Sequence, residues 1–244
     1  PPFEPISCLQ IAPRLEYTKH IEALRDEFEQ TIDRCSSAHP ELATELFLTL
    51  AHASFIHNKQ EALDFLESRC SMLLETLAAL DTDHTGYVRI LRFHMFAVWG
   101  ELVFRQTGNS TPFFEALERA RALFAPAGMP HEQKLTYHYQ RAIMGTFSQT
   151  DATPYVEDAH TALELASDPR LPLFVKPQCS RLLARFLSSR GEHEKALHHM
   201  MESAEFAKNN GMEGLYAICI LSCSLIQTCM RQNDAAIDTA STLS

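Results

Sequence analysis

The chain has 244 residues, 45% of them hydrophobic and only 8 of them glycine, which is enough apolar material for a sizeable core and excludes disorder as the dominant state. Its 31 acidic residues outweigh 21 basic ones to give a net charge of −10, which argues against a dedicated DNA or RNA binder. The 7 cysteines are odd in number and follow no framework spacing, so a reducing cytoplasm fits better than a disulfide scaffold, and no apolar run approaches the roughly 18 to 20 residues of a membrane span.

Pro1, Pro2, Pro5 and Pro13 predict an extended arm or linker over residues 1 to 13, followed by one helical domain over 14 to 244. The chain begins without Met and stops inside an apparent helix, so it reads as a fragment of a larger protein. From Leu15 to Cys35 the stripe Ile21, Leu24, Phe28 and Ile32 predicts an amphipathic helix. Glu41 to Asn58 and Lys59 to Leu80 form the first helix pair, and the linker Asp81 to Gly86 resets the chain. Tyr87 to Gln106 is apolar almost all round and is expected to be the most buried helix, with Phe96, Trp99, Gly100 and Val103 at a helix crossing.

Thr111-Pro112-Phe113 returns 42 residues later as Thr153-Pro154-Tyr155, and Ala120 and Leu123 return as Ala162 and Leu165. Each Thr-Pro is expected to open a helix, with Thr as the N-cap and Pro at the first helical position. The clearest unit is Pro177 to Met212. Cys179, Leu182, Leu183 and Phe186 share one face, Arg190-Gly191 breaks the pattern, and Ala196, Met200, Ser203, Ala204 and Ala207 recur at helical spacing up to the Asn210-Gly211 cap. Ile220, Cys223 and Ser224, then Ala235-Ala236-Ile237, start a last partial pair. These elements predict an all-α fold, a right-handed superhelix of about five antiparallel helix pairs in which no unit is stable alone.

Leu183-Ala184, Gly191 and Ala196-Leu197 resemble the tetratricopeptide consensus, in which a Leu-Gly or Leu-Ala pair precedes a turn glycine and an alanine of the second helix. The run Ala162 to Leu171, continuing through Gly191, also resembles the sensor solenoids of bacterial signal-transduction ATPases of the maltose-regulon-activator type. The resemblance implies a tetratricopeptide-like effector- or protein-binding module of a cytosolic regulator. In that family the module is coupled to an ATPase and a DNA-binding domain that lie elsewhere.

Between Arg170 and Arg190 the sequence carries Lys176, Arg181 and Arg185 as well, and no acidic residue. On the tetratricopeptide pattern Arg181 and Arg185 take first-helix positions facing the concave groove, and Lys134, His138 and Arg141 are expected to extend the stripe from the preceding unit. Guanidinium pairs suit a carboxylate or phosphate, so the expected partner is a protein segment or a small anionic effector. The opposing reading has these arginines paired with Asp168, Glu192 and Glu194 on a solvated face. No asparagine accompanies them, as it does in carboxylate-clamping tetratricopeptide domains. The histidine pairs have the wrong helical separations for a metal, and Cys219 and Cys223 sit in an apolar stretch as small hydrophobes. Phe93, Phe96, Trp99 and Phe113-Phe114 read as core before they read as a ligand pocket. No Gly-x-Ser-x-Gly elbow or phosphate-binding glycine loop occurs, so no enzyme, metal or cofactor is expected. The remaining alternative is an assembly scaffold that self-associates through its ends.

Overall fold

Period-3.6 patterning throughout the sequence becomes an all-helical chain, described in a computed structural model over residues 23–57, 60–80, 86–125, 128–147 and 153–243. Eleven helices fall among the described residues. They are α1 (Arg25–Cys35), α2 (Pro40–His57), α3 (Gln60–Leu80), α4 (Gly86–Thr107), α5 (Thr111–Ala122), α6 (His131–Gly145), α7 (Thr153–Leu165), α8 (Val175–Ser189), α9 (His193–Asn209), α10 (Glu213–Cys229) and α11 (Asn233–Ser241). The arm expected over residues 1 to 13, the first half of the helix expected from Leu15, and linker residues 81 to 85 lie outside the described residues. No described helix is long and apolar enough to cross a membrane.

The chain divides into two compact units, Pro1–Gln133 and Lys134–Ser244. In the first, α2 packs on α1, α3 and α4, and α4 packs on α3 and α5. Contact with three helices encloses α2 so fully that every residue from Phe47 to Phe55 is buried. That overturns the expectation that the Tyr87–Gln106 segment is the most enclosed. Along α4 the buried face carries Leu91, Met95, Val98 and Leu102, while Phe96, Trp99 and Val103 are half-exposed. Gly100 does mark a crossing: a Cβ there would sit 2.9 Å from the Phe113 Cα of α5. Arg69 of α3 grips Asp33 of α1 with Nε and Nη2 at 2.6 and 3.1 Å, and this pairing holds the Asp33 carboxyl below its ordinary range. Leu24, expected inside the first stripe, is exposed just ahead of α1.

The α5 start differs from expectation in its capping chemistry. Thr111 already lies inside the helix, and Asn109 accepts the Thr111 amide through Oδ1 at 3.0 Å. With Thr111 inside the helix its amide is one of the first-turn donors left without a helical acceptor, and the Asn109 side chain satisfies it.

In the second unit α7 packs on α8, α8 on α9, α9 on α10 and α10 on α11. Cys179, Leu182, Leu183 and Phe186 of α8 are all buried, as are Ala196, Met200, Ser203, Ala204 and Ala207 of α9. Three turns in this unit share one geometry. Gly191 and Gly211 have positive φ, and the next residue's amide reaches back five residues, from Glu192 to the Leu187 carbonyl and from Met212 to the Ala207 carbonyl, both at 2.9 Å. The third turn has Arg231 at φ 61° and the Gln232 amide on the Gln227 carbonyl. Reversal within three residues sets neighbouring helices antiparallel.

Candidate functional site

The five basic residues from Arg170 to Arg190 separate by partner. Arg170 closes on Asp168 in the loop before α8, with Nη2 at 2.6 Å, and its guanidinium is held still more firmly protonated. Arg190 meets Glu192 across the turn at 3.5 Å. Glu192 also takes Lys195 at 2.7 Å, and the Lys195 hydrogen bond is the main cause of its lowered pKa. These two arginines follow the solvated-face reading. Lys176, Arg181 and Arg185 of α8 have no ion-pair partner among the described residues. Lys176 and Arg185 are exposed, whereas Arg181 is half-buried and its Nε is enclosed with no acceptor. Its charge reaches Cys219 of α10, where it opposes the burial that raises the thiol pKa.

The three residues expected to extend this stripe behave differently. Lys134 is exposed on α6, but His138 and Arg141 turn toward α7. His138 Nδ1 lies 2.7 Å from one oxygen of Asp158 and Arg141 Nε lies 2.9 Å from the other. Asp158 is 7% exposed, so both its oxygens are satisfied in a nearly dry setting between the two helices. Arg141 also donates to the Tyr137 hydroxyl at 3.3 Å. His138 and Arg141 thus lie on the face of α6 that meets α7. On α8 the corresponding contacts are made by Pro177, whose carbonyl accepts the Ser203 hydroxyl at 3.1 Å, and by Ser180, whose hydroxyl lies 3.1 Å from His199 Nδ1. Arg181 and Arg185 lie off that seam. The structure brings Lys176, Arg181 and Arg185 onto one helix and does not bring His138 and Arg141 to join them.

What does share their register is α10. The left-handed turn residues Gly191 and Arg231 are 40 positions apart, so Leu221 and Leu225 stand on α10 at the same distance from the turn as Arg181 and Arg185 on α8. Both leucines are exposed, Leu225 at 68%. α10 therefore carries two exposed apolar side chains at the positions where α8 carries two cations. The sequence reading missed these leucines because an apolar residue at helical spacing is taken for core. Register against the turn was the signal that could have found them.

Ser180, His199 and Glu202 also come together. Glu202 lies 3.9 Å from the same His199 nitrogen that faces Ser180, and not from the far one. A relay from acid through imidazole to hydroxyl needs opposite ring nitrogens. Ser180 is also buried and near the His199 carbonyl at 3.3 Å, so this cluster joins α8 to α9. Desolvation is the first cause lowering the His199 pKa. Cys219 and Cys223 are buried on α10, and burial pushes the Cys223 thiol up to about 11, which makes it a poor nucleophile or metal ligand at neutral pH. Phe93 and Phe113 are core, with Phe93 edge-on to Phe124 at 6.0 Å. Among the described residues no group of three or more His, Cys, Asp or Glu is placed to hold a metal ion. No protein family, curated protein or solved structure matches the chain.

Proposed function

We propose that this chain is a non-enzymatic, tetratricopeptide-like helical-repeat module that binds a protein segment through the face shared by α8 and α10. The carrying observation is the pair Arg181 and Arg185, left without acidic partners among the described residues in a chain of net charge −10, with exposed Leu221 and Leu225 at the matching positions of α10. Such a face fits a helical segment with two acidic residues one turn apart, followed by two apolar residues one turn apart. The acids meet the guanidiniums and the apolar pair covers the leucines. On this reading the eleven helices are one entry helix and five pairs of a right-handed superhelix, the last pair short, and the module serves a cytosolic regulator. Fluorescence anisotropy with a labelled helical peptide of that pattern tests the proposal. Binding should weaken steeply with added salt and be lost in Arg185→Glu and in Leu225→Asp. Affinity unchanged from the parent in either variant overturns it.

One observation favours a second reading. Ile218 on α10 and Ile237 on α11 are also exposed, Ile237 at 64%, and exposed apolar side chains of this kind suit assembly with another copy. A mass that doubles with protein concentration, and returns to monomer in Ile237→Asp, would favour that scaffold role.

A further inference from the structure

A cavity of about 310 Å³ opens in the second unit where the loop after α7 wraps over the start of α8 and the end of α9, and neither Arg181 nor Arg185 lines it. That volume lies at the lower end of the range for small-molecule sites, roughly 300 to 1,000 Å³. Its outer wall is fixed before any ligand arrives. Pro169 and Pro172 restrict the loop, and Asp168 pins it by accepting the Arg170 amide at 2.9 Å and the Arg170 guanidinium. The Leu171 amide bonds to the Asp168 carbonyl and the Val175 amide to that of Pro172. The inner wall is equally firm, because the Ser203 hydroxyl bonds to the Pro177 carbonyl and Ser180 is held by His199.

The lining is mainly apolar, from Leu171, Pro172, Leu173, Pro177 and Phe206. Leu173 is the most exposed large apolar side chain described, at 71%, although it stands on a braced loop. An apolar side chain held rigidly in water at a cavity wall gains from being covered. The charged groups at the cavity are unequally engaged. Asp168 is occupied by Arg170, and Glu202 faces His198 at 3.5 Å and His199 at 3.9 Å. Lys176 has no partner among the described residues.

We propose that this cavity is a binding site for a small amphipathic carboxylate, with its apolar body between Leu173 and Phe206 and its carboxylate on the Lys176 ammonium. The chemistry selects one negative charge at one end of the ligand. A second charge would meet proline, leucine or the Glu202 carboxylate, and a neutral ligand would gain nothing from Lys176.

The test is isothermal titration of the whole chain with sodium octanoate, and with 1-octanol as the uncharged isostere. Octanoate should bind at one site per chain, and octanol at least tenfold more weakly. Lys176→Gln should weaken octanoate at least tenfold and bring the two ligands level. Leu173→Glu places a like charge at the mouth of an exposed position and should abolish octanoate binding without disturbing the helical melt. Arg185→Glu should leave octanoate binding unchanged while losing the acidic peptide, so the cavity and the α8–α10 face fail separately. Absence of octanoate binding, equal affinity for octanol, or unchanged affinity in Lys176→Gln overturns the proposal.

Discussion

The helices α6 and α8 carry the same residue types to opposite ends. On α6, His138 and Arg141 converge on a buried carboxylate from the next helix. On α8, Arg181 and Arg185 stand one turn apart with no carboxylate to meet among the described residues. The difference is register, not composition. A cation on the seam between partner helices must be neutralised to be buried, whereas one off the seam keeps its charge for something outside. Cationic residues at helical spacing therefore indicate a binding face only after the seam has been located.

The largest expected effect breaks the paired side of that comparison. Asp158→Ala leaves Arg141 and His138 facing a hole between α6 and α7. Removing one member of a buried ion pair costs about 3 to 5 kcal/mol. Because the Arg141 and His138 side chains are about a quarter exposed, at 23% and 27%, the lower end applies. Urea unfolding should show a loss of about 3 kcal/mol for Asp158→Ala and less for Asp158→Asn, which can still accept from Arg141. Equal losses in the two variants would mean that shape, not charge, holds the pair.

Gly100→Leu comes next, at about 1 to 3 kcal/mol of overpacking. The added Cβ would meet the Phe113 backbone at 2.9 Å and the Ala116 Cβ at 3.2 Å, and backbone cannot rotate away as a side-chain tip can. Thermal melts of the variant and of Gly100→Ala should both fall below the parent, the leucine further. A leucine variant that melts with the parent would remove α5 from that contact.

Gly100 also shows what was legible beforehand. A glycine at helical spacing from large neighbours is visible in one dimension, so its crossing could be foreseen, as could the buried faces of α8 and α9. The Asp158 anchor could not be seen in apolar periodicity, because it pairs residues 17 and 20 positions away on another helix. A trace of it exists: Asp158, Ala162 and Ala166 recur every fourth residue, and both alanines are buried. An acid in an apolar row requires a cation opposite. The turn at Arg231 was illegible for a different reason, since arginine there takes the left-handed backbone that glycine supplies at Gly191 and Gly211. Without that turn the register linking Arg181 to Leu221 stays hidden.

Acid should bring a more gradual loss. His52 is fully buried, and because its Nδ1 faces the Leu48 carbonyl at 2.6 Å, that nitrogen carries a proton it donates. Desolvation is the main cause lowering its pKa below the ordinary 6.5, and His199 is lowered for the same first reason. A base with a depressed folded pKa binds its proton more readily when unfolded. Stability is therefore intact above about 6.5 and falls as pH drops toward the folded value, by at most about 1.4 kcal/mol per pH unit for each proton taken up. Denaturation midpoints measured from pH 7.5 to 5 should decline, and the decline should be shallower in His52→Gln. A flat profile would show that neither imidazole resists protonation.

The smallest effect tests the unpaired side. Arg181 is half-buried with an enclosed Nε and no acceptor, so its guanidinium adds little to the fold beyond the packing of its stem. Arg181→Met keeps much of that stem and removes the orphaned donor, and unfolding free energy should stay within about 0.5 kcal/mol of the parent or rise slightly. Arg185→Glu, at an exposed position, should be equally silent in stability. Arg181→Glu is a less clean change, because it sets a carboxylate beside Cys219 in a half-buried site and adds a desolvation cost of its own. If Arg181→Met instead costs as much as Asp158→Ala, then Arg181 is held by a carboxylate as Arg141 is, and the contrast between α6 and α8 disappears.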